Sequence, residues 1–511
     1  MNRAGALLWL SVVVACGGDD SNTVPTKILP QSVYAQRCVT PRTGTDPVSG
    51  DKYVDQQGTL LDEQLWLRSW TDDLYLWYNE VPANNPLDYG NPLDYFDVLR
   101  TPVATTSGAP KDKFHFTYDT TIWENLSDAG TEASYGINWA LVAPAPPRKL
   151  LVAFVDPGSP GDSAGFKRGT EVVTIDGVDV QNGADTDKLN NGISPASVGE
   201  SHTFVIKDPG ATTTHTVTVA SAAIDVNPVP AQDVKLLGLP QPDDKIGYLL
   251  FTDHVATAEK GLLDAITQLK AAGATDLILD IRYNGGGFLD IASQLAYMIA
   301  GPDAAGKTFE KETFNDKHPT TDPVTGQPLV PTTFPTATFG FSTTAGTPLP
   351  TLDLPIKRVF VLTTADTCSA SEAVMNGLAG VGVEVIQIGD TTCGKPYGFY
   401  PDDNCGTTYF SIQFKGENAA GFGDYSDGFV PGQTFKGCAV ADDFTHQLSD
   451  PAEKLTAAAV YYRDHNACPP GAAQAAPVVA RDRAALSRAG ALALPKPLWL
   501  QNRIARRPIA R

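Results

Sequence analysis

Residues 276–288 read DLILDIRYNGGGF, a short apolar run that ends in three glycines. The run predicts a buried strand, and the apolar spacing of residues 289–299 predicts a helix directly after it. Strands and helices continue to alternate up to about residue 388, which is typical of an α/β domain with a mostly parallel sheet. We assign residues 240–468 to this domain. Glycines at a strand end let backbone N–H groups approach a ligand closely.

Two further predicted strands of this domain end in side chains that can do chemistry. TCSASE at 367–372 lies between a strand and a helix, which places the Ser369 hydroxyl at a helix N-terminus, where free N–H groups stabilise an oxyanion. Ser369 followed by Glu372 is also a plain capping box, so this motif alone is weak. TTCGK at 391–395 follows a third strand and ends in Lys395. Because the carboxyl ends of parallel strands meet at one edge, the three motifs can converge on one site.

Short strands separated by turns replace the helical pattern between residues 125 and 230. Two segments, YGINWA at 135–140 and VAFVDPGSP at 152–160, resemble parts of a PDZ domain. A PDZ groove binds a peptide as an additional strand and holds its terminal carboxylate on backbone N–H groups. The resemblance places those groups at three neighbouring residues, Gly136, Ile137 and Asn138. A PDZ-like domain that serves only as a spacer is the alternative.

The order of these motifs resembles that of the carboxyl-terminal processing peptidases, also called tail-specific proteases. The resemblance covers roughly residues 111–465 and includes the PDZ-like segment, D-[IL]-R-x-N-x-G-G, S-A-S-E and G-K. It implies a serine-type endopeptidase that cleaves protein or peptide substrates near their C-termini through an acyl-enzyme and needs no cofactor. By position it implies these roles: the nucleophile Ser369, the general base Lys395, and oxyanion-hole N–H groups on Ala370 and on Gly286 or Gly287.

The lysine is where the sequence departs from this family. A lysine accepts the proton of a serine only if desolvation lowers its pKa by several units, and Lys395 has many apolar neighbours in the sequence. Many family members have a glutamine four residues after the lysine, whereas this chain has Phe399. The group that orients Lys395 therefore stays open among Asp366, Tyr397 and Gln413.

Other interpretations of the same region remain. Ser371 is a competing nucleophile, and Glu372 is read as a helix-start carboxylate. The seven histidines are scattered and no G-x-S-x-G motif is present, which argues against a Ser-His-Asp peptidase. Among them, His115 and His254 are the two candidates for a functional role. A catalytically silent lipoprotein that binds peptides on the same scaffold is the alternative function.

The N-terminus predicts export. An apolar run that ends in VACGG at 14–18 resembles a bacterial lipoprotein signal in which Cys16 receives the lipid. We expect a signal peptide at 1–16, a polar linker at 17–33 and a small helical region rich in aromatic residues at 34–120. The expected location is the cell envelope, in the outer membrane or facing the periplasm, with the lipid as the membrane anchor.

Cysteine count and charge limit the remaining possibilities. Six cysteines are left without Cys16, an even number that predicts up to three disulfides in an oxidising compartment and leaves their connectivity open. No CxxC pair is present and the histidines do not cluster, so we expect no metal site. The net charge of −20 argues against nucleic acid as a partner. Residues 469–511 predict a flexible basic tail, and the oligomeric state stays open.

Overall fold

The computed structural model describes most of the chain, namely residues 24–125, 131–143, 145–239, 245–472 and 503–504. The predicted signal peptide, the lipid-accepting Cys16 and most of the basic tail lie outside these residues. None of the helices within the described ranges has the length and apolar character that a membrane crossing requires.

The first described region is built around one long helix. Its elements are β1 (Arg37–Cys38), β2 (Gln56–Gln57), α1 (Leu60–Leu74), α2 (Pro92–Asp97), β3 (Phe116–Asp119) and α3 (Thr120–Glu124). Thr59 and Asp62 form a capping box that begins α1. Trp66 and Trp70 lie one helical turn apart on its buried face, with ring centroids 5.5 Å apart. Trp66 and Trp70 belong with Tyr95 and Phe96 to a local core, whereas other aromatic residues of this region, Tyr75, Trp77, Phe114, Phe116 and Trp123, pack into the core of the α/β domain.

A β-rich domain follows. Its elements are β4 (Thr131–Ser134), β5 (Ile137–Ala143), β6 (Lys149–Val155), α4 (Pro160–Ser163), β7 (Glu171–Ile175), β8 (Val178–Asp179), α5 (Thr186–Ile193), β9 (Ser201–Lys207), β10 (His215–Ala220) and β11 (Ala222–Asp225). The main sheet has the order β10–β9–β7–β6–β5, with β8 paired to β7, and is antiparallel throughout. Strand β5 ends this order, so within the described residues its outer side is a sheet edge.

The α/β domain contains the remaining elements. They are β12 (Val234–Leu236), β13 (Ile246–Leu250), α6 (Ala258–Ala272), β14 (Asp276–Asp280), β15 (Gly287–Phe288), α7 (Leu289–Ala300), β16 (Thr308–Thr313), β17 (Thr332–Thr333), β18 (Arg358–Thr363), α8 (Ala370–Gly380), β19 (Glu384–Gly389), β20 (Tyr397–Gly398), β21 (Asp402–Asn404), β22 (Thr407–Phe410), β23 (Phe414–Glu417), β24 (Lys436–Ala439) and α9 (Lys454–His465). Beyond it, Arg503–Ile504 forms the two-residue strand β25.

The central sheet of this domain has the order β12–β13–β14–β18–β19–β24. The four pairings from β13 to β24 are parallel, whereas the edge pair β12–β13 is antiparallel, so the sheet is mixed. Side chains alternate between its two faces: Leu249 packs in the core with α6, α7 and α8, whereas Tyr248 and Leu250 pack with α9. Burial on both faces explains the unbroken apolar run of β14.

Covalent and polar links join the three regions. Strand β3 of the first region pairs with β22 of the α/β domain. Arg168 of the β-rich domain is buried and donates to the Ala153 carbonyl at 2.6 Å, to Tyr283 Oη at 2.7 Å and to Asp442 Oδ1 at 2.8 Å. The six cysteines other than Cys16 form three disulfides, Cys38–Cys405, Cys368–Cys393 and Cys438–Cys468.

Candidate active site

Three loops at the carboxyl edge of the central sheet hold the predicted site residues. They follow the adjacent parallel strands β14, β18 and β19. We call them the glycine loop (281–288), the serine loop (364–369) and the lysine loop (390–395). The Cys368 N–H donates to the Asn284 carbonyl at 3.1 Å, and the Cys393 N–H donates to the Thr367 carbonyl at 3.0 Å. These backbone bonds join the three loops into one unit.

Ser369 lies in a strained turn between β18 and α8. Its φ is 61° and its ψ is −112°, a conformation that costs a residue with a Cβ on the order of 1–3 kcal/mol. The residue is fully buried, and its Oγ has no hydrogen-bond partner among the described residues. It is the backbone N–H of Ser369 that bonds to Glu372 Oε2, at 2.9 Å. The helix start is therefore held by the Ser369 N–H and the Glu372 carboxylate, and the serine hydroxyl itself makes no hydrogen bond to the described residues there.

The Glu372 carboxylate connects the serine loop to the lysine loop. Besides the Ser369 N–H it accepts the backbone N–H groups of Gly394 at 2.9 Å and Lys395 at 2.8 Å, and the Thr392 hydroxyl at 2.5 Å. Complete burial raises the pKa of Glu372, although these donors favour its charged form. The sequence predicted a helix-start carboxylate here, and the structure adds that this carboxylate positions the lysine loop.

A disulfide makes a second link between the same two loops. Cys368 precedes Ser369, and its partner Cys393 lies two residues before Lys395. Sulfur atoms of these two residues and a carboxylate oxygen of Glu372 lie within 4.8 Å of one another. Because the two sulfurs are bonded to each other, they are not available as thiolate ligands for a metal.

Lys395 is fully buried beneath the site. Its Nζ lies 4.5 Å from the ring centroid of Phe399 and 4.7 Å from that of Phe114. Ring faces attract an ammonium group, while their apolar bulk removes water from it. Phe399, the departure from the family pattern, therefore packs directly on the lysine. Of the three candidates for an orienting group, Gln413 is used elsewhere, because its amide bonds to both backbone groups of Tyr400.

The glycine loop contains both candidates for the second oxyanion-hole N–H group, Gly286 and Gly287. The Gly286 N–H already donates to Asn284 Oδ1 at 3.0 Å, so of the two only Gly287 remains a candidate. Gly287 has a φ of 130°, and a Cβ on it would lie 2.4 Å from the His254 carbonyl oxygen, so only glycine fits.

Asn284 was not singled out from the sequence, yet it connects the glycine loop to its surroundings. Its Oδ1 also bonds to His254 Nδ1 at 2.9 Å, and its carbonyl accepts the Ser371 hydroxyl at 3.0 Å. Ser371, the competing nucleophile, thus uses its hydroxyl for a structural bond. The local signal for this role was the fixed place of Asn284 in the D-[IL]-R-x-N-x-G-G motif, directly before the glycines.

Neither histidine singled out from the sequence bonds to Ser369. His254 is buried behind the glycine loop, and burial lowers its pKa to about 3, so it is neutral at pH 7. His115 Nε2 bonds to the Phe96 carbonyl at 2.9 Å, and the two rings stack at 3.8 Å. The hydrogen bonds of both rings are thus made to groups other than the candidate nucleophile.

The predicted carboxylate-binding residues lie at the start of β5 in the β-rich domain. The Gly136 N–H donates to Ser134 Oγ at 3.1 Å, while Ile137 and Asn138 pair with β6 on one side. Trp139 Nε1 donates to the Ile193 carbonyl at 3.1 Å and so connects β5 to the end of α5. An edge strand beside a helix is an arrangement that can accept a peptide as an added strand.

Two regions of the chain match protein families, and one of these regions contains the candidate site. Residues 245–398 match the Peptidase family S41, and residues 62–117 match the Peptidase S41 N-terminal domain. The first match contains all three loops of the candidate site. The chain therefore carries S41 peptidase domains and has carboxyl-terminal processing protease homologues, which confirms the resemblance drawn from the motifs.

Each homologue aligns with this chain over only part of the homologue's length. A carboxyl-terminal-processing protease of Picosynechococcus sp. is 27% identical over 181 residues, which are 34% of this chain and 41% of that protein. A chloroplastic C-terminal processing peptidase of Tetradesmus obliquus is 30% identical over 160 residues, 30% of this chain and 34% of that protein. The chain thus spans less than half the length of these relatives.

A crystal structure of a candidate S41 protease from Bacteroides fragilis shares the fold, with a TM-score of 0.58, 22% identity and coverage of 79% of this chain and 97% of the other.

Proposed function

We propose that the chain is an exported serine-type endopeptidase that cleaves protein or peptide substrates near their C-termini. The observation that supports this most directly is the strained, buried Ser369, whose hydroxyl has no hydrogen-bond partner among the described residues and whose loop is linked to the lysine loop through Glu372. Backbone strain of this kind persists only where the surrounding structure enforces it, and it clusters at active sites. The homologues are named for the same activity.

The proposed chemistry uses two side chains and two backbone donors. Neutral Lys395 takes the proton of the Ser369 hydroxyl while Oγ bonds to the substrate carbonyl carbon, and the N–H groups of Ala370 and Gly287 hold the resulting oxyanion. The C–N bond then breaks as the Lys395 ammonium returns its proton to the leaving amine. Water loses a proton to Lys395, attacks the acyl-enzyme and releases the carboxylic acid, and Ser369 regains its proton.

Capture and location belong to the same proposal. The β-rich domain acts as a PDZ-like domain that binds a substrate tail along β5, with the terminal carboxylate on the backbone near Gly136, Ile137 and Asn138. Export and lipidation at Cys16 place the protein in the cell envelope, where its disulfides can form.

The test measures hydrolysis of an unfolded protein with an apolar C-terminus by the chain without residues 1–16. We expect Ser369→Ala and Lys395→Ala each to lower kcat/KM by at least about a thousandfold, because each removes a member of one catalytic unit. Ser371→Ala is the matched control, and we expect it to keep most of the activity. All three variants should retain the parent circular dichroism spectrum.

Full activity in both Ser369→Ala and Lys395→Ala would overturn the proposed dyad. Loss of activity in Ser371→Ala alone would transfer the nucleophile to that residue. A parent chain that binds the tail peptide of the substrate but hydrolyses nothing would favour the silent binding protein instead.

A further inference from the structure

A segment of the chain's own basic tail lies on the glycine loop. Strand β25 pairs in parallel with β15, with Arg503 opposite Gly287 and Ile504 opposite Phe288. Strand β20, which begins two residues after Lys395, has Cα atoms within 8 Å of β25 as well. The sequence predicted a flexible tail in this region, whereas the structure brings part of it between the glycine loop and the strand that follows the lysine loop.

The hydrogen bonds between β15 and His254 show on which side of β15 the tail segment lies. His254 occupies one side: its N–H donates to the Gly286 carbonyl at 3.0 Å, and its carbonyl accepts the Phe288 N–H at 2.8 Å. Successive residues of a strand point their N–H and C=O groups in opposite directions. The N–H and C=O of Gly287 therefore face away from His254, toward β25. Gly287 N–H is also the proposed oxyanion donor, so β25 lies where the reacting carbonyl of a substrate would need that donor.

The positive charge of the tail favours its binding to the rest of this acidic protein. Residues 481–511 contain eight Arg or Lys residues and one Asp, although the whole chain has a net charge of −20. A basic segment is therefore attracted to an acidic body. A covalent link also keeps its local concentration near the millimolar range, so weak strand pairing is sufficient for occupancy.

We propose that the segment around Arg503–Ile504 is a tethered competitor of the substrate, which binds as an extended strand along β15 and covers the Gly287 N–H. The competition rests on the proposed peptidase function, whereas the docking of the strand does not. The occupant is an extended, basic and apolar peptide that is recognised mainly through its backbone.

The docking is tested by hydrogen exchange in the Ser369→Ala form of the chain without residues 1–16, which cannot act through the proposed nucleophile. Arg503→Pro/Ile504→Pro removes two backbone donors of β25, and Ala485→Pro is the matched control elsewhere in the tail. We expect exchange of the Gly287 N–H, the amide of β15 that faces β25, to become at least about tenfold faster in the double variant and to stay unchanged in the control. Equal exchange in all three proteins would overturn the proposal.

The competition is tested by kinetics in the form that retains Ser369. We expect Arg503→Pro/Ile504→Pro to lower the KM for an unfolded protein substrate severalfold with kcat unchanged, and Ala485→Pro to keep both values. A synthetic peptide of residues 496–511 should restore the higher KM, whereas a scrambled peptide of the same charge should not. An unchanged KM would refute the competition while the proposed function stands. Absence of hydrolysis in every protein would instead refute the proposed function, and the exchange result would then decide the docking alone.

Discussion

His254 illustrates how one buried side chain supports the candidate site without taking part in chemistry. Its backbone bonds to both neighbours of Gly287, and its ring bonds to Asn284 Oδ1. Since that oxygen can only accept, the neutral imidazole carries its proton on Nδ1. A charged imidazolium at this fully buried position would lack water, which is why burial lowers its pKa.

This pKa predicts a pH dependence of stability. The folded-state pKa of His254 is about 3, whereas an unfolded histidine titrates near about 6.5, so between these values the unfolded chain binds the extra proton. Stability should therefore fall as the pH drops below about 6.5, by at most about 1.4 kcal/mol per pH unit through this group. We expect urea unfolding of His254→Asn, which keeps a donor for Asn284, to depend less steeply on pH. The exposed His465→Asn should keep the parent slope, and equal slopes in all three proteins would contradict the assignment.

At the scale of elements, the site depends on how three strand-end loops are held together. Glu372 bonds to backbone groups of both the serine and the lysine loop, and Cys368–Cys393 links the same loops covalently. The first region adds Phe114 against Lys395. The relative position of serine and lysine is thus set by bonds between loops, and neither loop defines it alone.

The disulfides offer a matched test of this positioning. Cys368–Cys393 spans 25 residues at the site, and Cys438–Cys468 spans 30 residues away from it. Replacing either pair by alanine should lower the free energy of unfolding by a similar amount, about 3 kcal/mol, because the closed loops are of similar length. We expect only Cys368→Ala/Cys393→Ala to lower kcat, by about tenfold, with little change in KM. Equal kcat values in the two double variants would show that the disulfide does not position the loops.

At the scale of the whole molecule, a buried arginine holds the β-rich domain against the α/β domain. The Arg168 guanidinium also donates to the carbonyls of Asp443 at 2.9 Å and His446 at 3.0 Å. Asp442, its ionic partner, is shared with Arg282 of the glycine loop. The junction of the two domains and the base of the candidate site are therefore parts of one buried polar network.

Removal of this arginine should loosen the junction. We expect Arg168→Met to speed hydrogen exchange in residues 442–446 by at least about tenfold, because it leaves buried carbonyls without their donor and removes one of the donors to Asp442. Arg148→Met is the matched control: Arg148 is equally buried, but its bonds to the Val180 and Gly183 carbonyls lie within the β-rich domain. That variant should leave exchange at 442–446 unchanged. Equal effects of the two variants would contradict a specific role at the junction.

Local sequence determined which chemical groups stand at the three strand ends. Apolar runs and helical spacing depend on neighbours a few residues away, so β14, the helix after Ser369 and the glycine-rich turn were predictable. The motifs around Ser369, Lys395 and Gly286 also carried the family resemblance, which the comparisons confirm. The number of cysteines predicted three disulfides at most, and three are present.

Only the tertiary structure decided how these groups are used. It engaged the Ser371 hydroxyl with Asn284, left the Ser369 hydroxyl without a hydrogen-bond partner among the described residues, and packed the Phe399 ring on Lys395. It also determined which cysteines form disulfides and that β25 pairs with β15 of the glycine loop. Each of these outcomes joins residues far apart in the chain or depends on a single backbone angle. Patterns of nearby residues hold no information about such contacts, because they arise only when the domains and the sheet are assembled.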